Sequence, residues 1–486
     1  MLRKTIIVDY ICNQVTHINQ SSDGPMKKLL LMLTIFVSAA TISQAKSLHE
    51  LQQEFVNLKF GLFIHFGMGT YLNEDWADPE QPATLFNPQK LNCDQWADGA
   101  QSAGMSFGCI SVKHHNGFCM WNTATTPYSV MNSGIARDVL KEFTDAMHRR
   151  NMKVMFHFSI LDLREKILPR HIKPSDTDFI KAQLRELLTG YGPVTALMID
   201  GWDAPWGRIS YDDISFEDIY RYVKSIQPEC LVMDLNGAKY PGDALFYSDL
   251  KTYEQGAGQR IDGSKAWLPS MSCDHLQPTW FWKSWFPSME LPSAESMVAN
   301  NIIPKNEAGC TFIMNVAPNT NGLLDDNALQ RLAEIGRLWK NNLKGIEIEE
   351  APEPIISANI AKHRHATGSW SYDCEIHDFA NDDNFRSCWV SNRAVKEPWL
   401  MIDLETEQEF NTVAITDNSE CTLKAYALEY RKNGEWHKVF SGDAPTTRQV
   451  KIHRFNKVKG DAVRLTITGY NGEVAIAEIG VYNDKR

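Results

Sequence analysis

Beyond residue 45 the chain alternates short, continuously apolar runs with stretches of helical periodicity. The runs are "FGLFIHFG" (60–67), "SFGCISV" (106–112), "KVMFHFS" (153–159), "ALMIDG" (196–201), "LVMDLN" (231–236), "LFYSDLK" (245–251), "WLPSMSC" (267–273) and "TFIMNVAP" (311–318). Between several of them lie amphipathic segments at 138–150, 175–192, 215–228 and 325–342. Strands that are apolar without alternation, separated by helices, are what a parallel sheet covered by helices produces. Eight such runs predict an α/β fold, a (β/α)8-like TIM barrel over residues 46–343. The pattern is least regular from 201 to 310, where the sixth and seventh strands fall.

After Leu343 the texture changes. Residues 344–358 read as a Glu/Pro linker, and 359–486 as a β-sandwich built from alternating pieces at 398–404, 409–417, 425–440 and 462–483. Asn433-Gly434 between two alternating runs marks a tight hairpin. Residues 1–45 do not read as globular. From Met26, "MKKLLLMLTIFVSAATISQA" has the two lysines, apolar core and small-residue end of a secretory signal peptide. Met26 is therefore the expected start, residues 1–25 an upstream extension, and the destination periplasmic or extracellular. No later segment is apolar for the ~20 residues a spanning helix needs.

The formal charge of -11, with both signs interspersed, argues against a nucleic-acid partner. Ten cysteines are scattered without a CxxC pair, which leaves no zinc-type spacing. A Cys374–Cys388 disulfide is compatible with an oxidising compartment, but nothing in the sequence selects it.

Candidate chemistry comes from polar residues that interrupt the apolar runs. His65 closes the first strand, His114 and His115 the second, His157 the third and Asp200 the fourth. A barrel gathers its C-terminal strand ends into one cup, so these residues are expected to converge as hydrogen-bonding groups for a ligand. A metal site is disfavoured because adjacent His114 and His115 should project to opposite faces of an extended chain. Carboxylate chemistry remains, and glycosidic hydrolysis needs one ionised and one protonated carboxyl. Asp200 suits the ionised role; Glu254, Asp249, Asp274, Glu290 and Glu295 are candidates for the acid. Trp76, Trp202, Trp206, Trp280, Trp282 and Trp285 crowd the expected rim loops, where sugar C–H faces could stack.

Five blocks, "KFGLFIHFG", "GMSFGCISVKHHNGFCMW", "RDVLKEFTDAMHRRNMKVMFHFS", "LLTGYGPVTALMIDGW" and "GCTFIMNVAPNTNGLL", resemble in this order the α-L-fucosidases of glycoside hydrolase family 29. The resemblance covers about residues 50 to 342. It implies a retaining exo-glycosidase that releases terminal L-fucose through a covalent fucosyl-enzyme without a cofactor or metal. Asp200 matches the family nucleophile, and "DLKTYE" favours Glu254 as acid/base. His65, His114 and His115 match fucose-binding histidines, while His157 stands where the family usually has a tyrosine. Glu74 and Trp76 match a looser motif, with Trp202 and Trp282 as further sugar contacts. Phe66 replaces a usual tryptophan, and Leu268 stands where a glutamate is often found. Those departures motivate two alternatives: a non-catalytic glycan-binding protein on the same fold, or a glycosidase for a related sugar. The tail resembles a discoidin, or F5/8 type C, domain of jelly-roll form, a module that often contacts carbohydrate.

Overall fold

The structure is a computed structural model that describes residues 46–486, apart from 203–207, 262–266, 342–343, 372–375 and 485–486. The leader, Trp206 and Cys374 therefore lie outside the described residues. Eight strands form the first sheet: β1 (Phe60–Ile64), β2 (Phe107–Lys113), β3 (Lys153–Ser159), β4 (Ala196–Asp200), β5 (Leu231–Asp234), β6 (Lys251–Glu254), β7 (Ser270–His275) and β8 (Cys310–Asn315). Their order is β5-β4-β3-β2-β1-β8-β7-β6, and every ladder in it is parallel. This is the expected barrel.

Strand periodicity divides its residues between two cores. Phe63, Cys109, Met155, Met198, Met233, Met271 and Ile313 meet in the barrel interior. Their neighbours Leu62, Ile64, Ile110, Val154, Phe156, Leu197 and Ile199 belong to the larger core outside the barrel wall. Helices from Cys93–Ser102, Val139–Arg149, Pro174–Gly190, Phe216–Ile226 and Asp326–Trp339 cover that wall. Their starts are fixed locally: Asn92, Asp138 and Ser215 each accept a backbone N–H from the first turn.

The barrel is irregular at one seam. The sixth strand, expected at 245–251, forms at Lys251–Glu254 instead. Leu245, Phe246 and Tyr247 pair with Ile355 of the linker, through Tyr247 N–H to Ile355 O at 2.9 Å and Ile355 N–H to Leu245 O at 2.9 Å. Phe246 packs on Phe385 of the sandwich and Tyr247 on Tyr211 and Phe216, so hydrophobicity there reports a different neighbour. Asp249 then substitutes for a strand partner: its N–H donates to Val232 O at 2.8 Å, and its carboxylate accepts from Val232 N–H at 2.9 Å. Tyr220 and Lys224 occupy the rest of that carboxylate. Asp249 is thus a structural group at the seam, not a candidate acid. The seventh strand also begins three residues later than expected, at Ser270.

The second sheet has seven antiparallel strands: β9 (Ala366–Gly368), β10 (Trp389–Val390), β11 (Trp399–Asp417), β12 (Leu423–Lys432), β13 (Glu435–Asp443), β14 (Val450–Tyr470) and β15 (Ala475–Tyr482). The runs expected at 398–404 and 409–417 join into the one long strand β11, which changes register between Asp403 and Gln408. That shift lets a single bonded sheet fold around one core containing Trp389, Leu400, Phe410, Tyr426 and Leu465. Asn433 and Gly434 both take positive φ, at 51° and 82°, as a type I′ hairpin requires.

Residues Ser47–Arg486 form one compact unit. Tyr240 and Phe246 of the barrel pack on Phe385 of the sandwich, with ring centroids 5.3 and 5.7 Å apart. The linker is pinned to the barrel by Gln53, which donates to Ile346 O and accepts from Ile348 N–H. Among the described residues no helix is long and apolar enough to cross a membrane.

Candidate active site

The same two-residue period that fills the barrel interior also builds its mouth. One step beyond each interior apolar residue, on the same face, comes a polar group: Phe63 leads to His65, Cys109 to Ser111, Met155 to His157, Met198 to Asp200 and Ile313 to Asn315. His65, His157 and Asp200 line a cavity of about 170 Å³, together with Phe63, Asp75, Trp76, His114, His115, Arg208, Leu235, Glu254, Cys273 and Trp280, while Ser111 and Asn315 stand behind His157 and His65. At ~30 Å³ per water, that is the scale of one sugar ring.

Asp200 lies at the centre of the polar contacts. Its Oδ2 is 3.4 Å from Nε2 of both His115 and His157. Its Oδ1 accepts from Arg208 Nη1 at 2.9 Å. Burial alone would raise this carboxyl, but the His157 hydrogen bond and the Arg208 guanidinium hold it well below the usual carboxylate range. Glu254, at the end of β6, lines the same cavity, and its backbone N–H donates to Gln259.

The histidines are fixed through their inner nitrogens. Ser159 donates its hydroxyl to Leu161 O, so it accepts from His115 Nδ1 at 2.7 Å. Asn315 donates its amide to Trp280 O, so its oxygen accepts from His65 Nδ1 at 2.8 Å. Assigned from these networks, both rings carry the proton on Nδ1 and leave Nε2 as an acceptor. Burial drives the ring pKa well down for His65 and His114, and down to about 4 for His115. At neutral pH all three are uncharged. His157 is held from Ser111 at 3.0 Å.

His114 and His115 do not project to opposite faces. Both rings line one cavity with centroids 4.2 Å apart. The reason is that β2 ends at Lys113. His114 begins a turn closed by Gly117 N–H to His114 O, with Gly117 at φ 88°, and strand alternation no longer applies. Lys113 anchors this turn from behind, fully buried and bonded to Asp162 at 3.0 Å and Gln183 at 2.8 Å.

The aromatic rim differs from the sequence expectation. Trp76 stands beside His115 at 4.4 Å between centroids, and Trp280 lies 4.8 Å from His65. Trp202 instead is buried under the β4 loop, packed on Tyr211 and Phe216 and donating to Ile214 O. Trp282 donates to Asp325 at 2.7 Å and does not line the cavity. Glu74 is exposed and also outside the cavity. Its neighbour Asp75 takes that wall, accepting from the N–H groups of Trp280 and Phe281 and from Lys283 Nζ, so the Trp76 loop is tied to the loop after β7. Of the other carboxylates considered, Asp274 sits against His275 on the far side of the cavity wall, while Glu290 is exposed and Glu295 starts a short helix. Asp75 and Arg208 carried no sequence signal. Asp75 sits in a loop held by Trp280, Phe281 and Lys283, far along the chain, and Arg208 reaches back to Asp200.

A model of the alpha-L-fucosidase family matches residues 37–344, and one of the F5/8 type C domain matches 361–480. Alpha-L-fucosidase 1 of Arabidopsis thaliana is 25% identical over 456 residues, covering 87% of this chain and 85% of the relative. The plasma alpha-L-fucosidase of Rattus norvegicus is 23% identical over 367 residues, covering 65% and 76%. A solved structure of a glycoside hydrolase 29 family member from an unknown rumen bacterium has a TM-score of 0.50 at 21% identity, over 90% of this chain and 77% of that one, and shares the fold.

Proposed function

Because the chain belongs to the alpha-L-fucosidase family of glycoside hydrolases, we propose that it is a retaining exo-α-L-fucosidase, releasing terminal L-fucose from glycans by double displacement. The observation that carries this reading is Asp200, an ionised carboxylate held at a sugar-sized cavity that Glu254 also lines. In the first step an Asp200 oxygen bonds to the anomeric carbon as the bond to the leaving sugar breaks, and Glu254 gives its proton to the departing oxygen. In the second, Glu254 takes a proton from water, the hydroxyl oxygen bonds to the anomeric carbon, and Asp200 leaves as carboxylate. The reading expects the two carboxyls to work about 5 to 5.5 Å apart.

The other cavity residues bind and orient. Nε2 of His65 and His115, being acceptors, take hydrogen bonds from sugar hydroxyls. His114 faces the same volume, and His157 braces Asp200. Trp76 and Trp280 offer faces to the C–H side of the ring. Such positioning makes the attack effectively intramolecular. The leader from Met26 to Ala45 makes export, to periplasm or outside, part of the same proposal.

The test is proton NMR of an aryl α-L-fucoside during hydrolysis by wild type and Asp200→Asn. The α anomer of fucose should appear first with wild type and no turnover should be seen with Asp200→Asn. An initial β anomer, or an unimpaired Asp200→Asn, overturns the mechanism. Folded protein that binds fucosides without cleaving them is the non-catalytic alternative.

A further inference from the structure

The barrel is open at one seam, and the seam falls between the two carboxyls. β4 carries Asp200 and pairs with β5, while β6 carries Glu254 and pairs with β7. Among the described residues no ladder joins β5 to β6, so the sheet begins at one of these strands and ends at the other. By the paired route Glu254 lies six ladders from Asp200. The short route crosses a gap that backbone pairing does not close.

Side chains close it instead. Thr252 Oγ1 donates to Asp234 O at 2.6 Å, with Leu235 O at 3.2 Å sharing the proton. Lys251 Nζ donates to Gly237 O at 2.6 Å and to Tyr240 O, both in the turn that follows β5. Thr252 and Lys251 are buried.

Of the two, Thr252 is placed to act on the acid. It stands two residues before Glu254 on the same face of β6, about 7 Å along the strand. Leu250, two residues further back, packs with Leu235 in the barrel interior, so this face looks inward.

The backbone that Thr252 grips is itself tied to the nucleophile. Leu235 N–H donates to Ile199 O at 2.9 Å, and Ile199 is the residue before Asp200. The Asp234 carboxylate accepts from Tyr211, three residues beyond Arg208. A continuous run of hydrogen bonds thus leads from the strand of the acid to the strand of the nucleophile, and the Thr252 hydroxyl is its link across the seam. Thr252 does not line the cavity.

We propose that Thr252 is a positioning residue for the acid: its hydroxyl holds Glu254 at working distance from Asp200 across the open seam. The inference rests on the reading of Asp200 and Glu254 as nucleophile and acid.

The test measures kcat/KM, which reads the first displacement alone, for a series of aryl α-L-fucosides from 2,4-dinitrophenyl to phenyl. Thr252→Val keeps the shape and removes the donor; Thr252→Ser keeps the donor. A displaced acid penalises only those leaving groups that need a proton, whereas a general loss of structure penalises all alike. Thr252→Val should lose about thirtyfold on the phenyl fucoside and less than about threefold on the dinitrophenyl fucoside. Thr252→Ser should return the phenyl fucoside to within about threefold of wild type. Equal losses across the series, or a serine variant as poor as the valine one, overturn the proposal.

If Thr252→Val does not fold, Thr252→Cys repeats the test with a far weaker donor of similar volume. A loss of about fivefold confined to the phenyl end is then expected, and wild-type behaviour overturns the proposal. Failure of the underlying reading shows separately. No turnover of any fucoside by folded wild type removes the fucosidase reading, and a Glu254→Gln whose losses ignore the leaving group removes Glu254 as acid; either takes the proposal with it. A selective Glu254→Gln beside an unselective Thr252→Val rejects Thr252 alone.

Discussion

Arg208 donates to Oδ1 of Asp200 at 2.9 Å, while His115 and His157 face Oδ2. Arg208 stands eight residues beyond the carboxylate it holds, and its guanidinium also faces the Trp76 ring at 5.9 Å. The nucleophile proposed here is therefore kept ionised by a residue outside the strand framework.

Removing that cation should raise the Asp200 pKa, because the anion loses its closest positive partner. In Arg208→Ala the acid limb of the kcat/KM profile should move up by about one pH unit, and Arg208→Lys should recover part of it. A limb that does not move would show that Arg208 only braces the loop.

Glu254→Gln should reduce kcat by about 10² to 10⁴ on oligosaccharides, whose leaving oxygen needs a proton. The loss should be far smaller on a dinitrophenyl fucoside, which leaves unaided. Azide should restore turnover in Glu254→Ala by attacking the fucosyl-enzyme. If all leaving groups suffer alike, another carboxyl is the acid.

His115 titrates near 6.5 in an unfolded chain but is held down to about 4 by burial in the fold. The unfolded state thus binds a proton that the native state refuses between these values. Stability from this group is complete above about pH 6.5 and falls as pH drops toward 4, at up to about 1.4 kcal/mol per pH unit. Urea unfolding of His115→Asn between pH 4.5 and 6.5 should show a correspondingly shallower dependence than wild type; an unchanged slope would contradict the buried neutral ring.

Lys113 and Asp162 form an ion pair with both side chains at zero exposure, the ammonium also lying 4.5 Å from the Phe158 ring centre. Asp162→Asn strands a buried cation and should cost about 3–5 kcal/mol. Replacing both partners, as Lys113→Met with Asp162→Leu, should recover most of that by removing the charge and its desolvation together. Thermal unfolding of the three proteins reads this directly. Since Lys113 precedes His114, the single variant should also lose fucoside affinity, whereas a purely distant structural role would leave KM alone.

Much of this site was legible as interruptions in apolar runs. A histidine or aspartate two residues beyond Met155 or Met198 must share their face, because side chains alternate along a strand. His65, His157 and Asp200 could be placed at the mouth on that ground. The rule stops where a strand stops: it puts the two histidines after Lys113 on opposite faces, whereas a turn brings them together. Trp202 and Trp282 were legible as aromatics but not as to direction: one is drawn under its loop by Tyr211 and Phe216, the other toward Asp325.

By itself the sequence determined the local terms: strand alternation, helix caps at Asn92, Asp138 and Ser215, the Asn433-Gly434 hairpin, and the motif blocks that carry the family. Those terms depend on residues a few positions apart. Only the tertiary structure decided that Arg208 holds Asp200, that Asp75 in place of Glu74 closes the rim, that Asp249 serves the seam, and that Phe246 packs toward the sandwich. Each of these is a contact between elements distant in sequence or a choice among loop paths. Packing and hydrogen-bond satisfaction select it over the whole fold, and no local pattern encodes it.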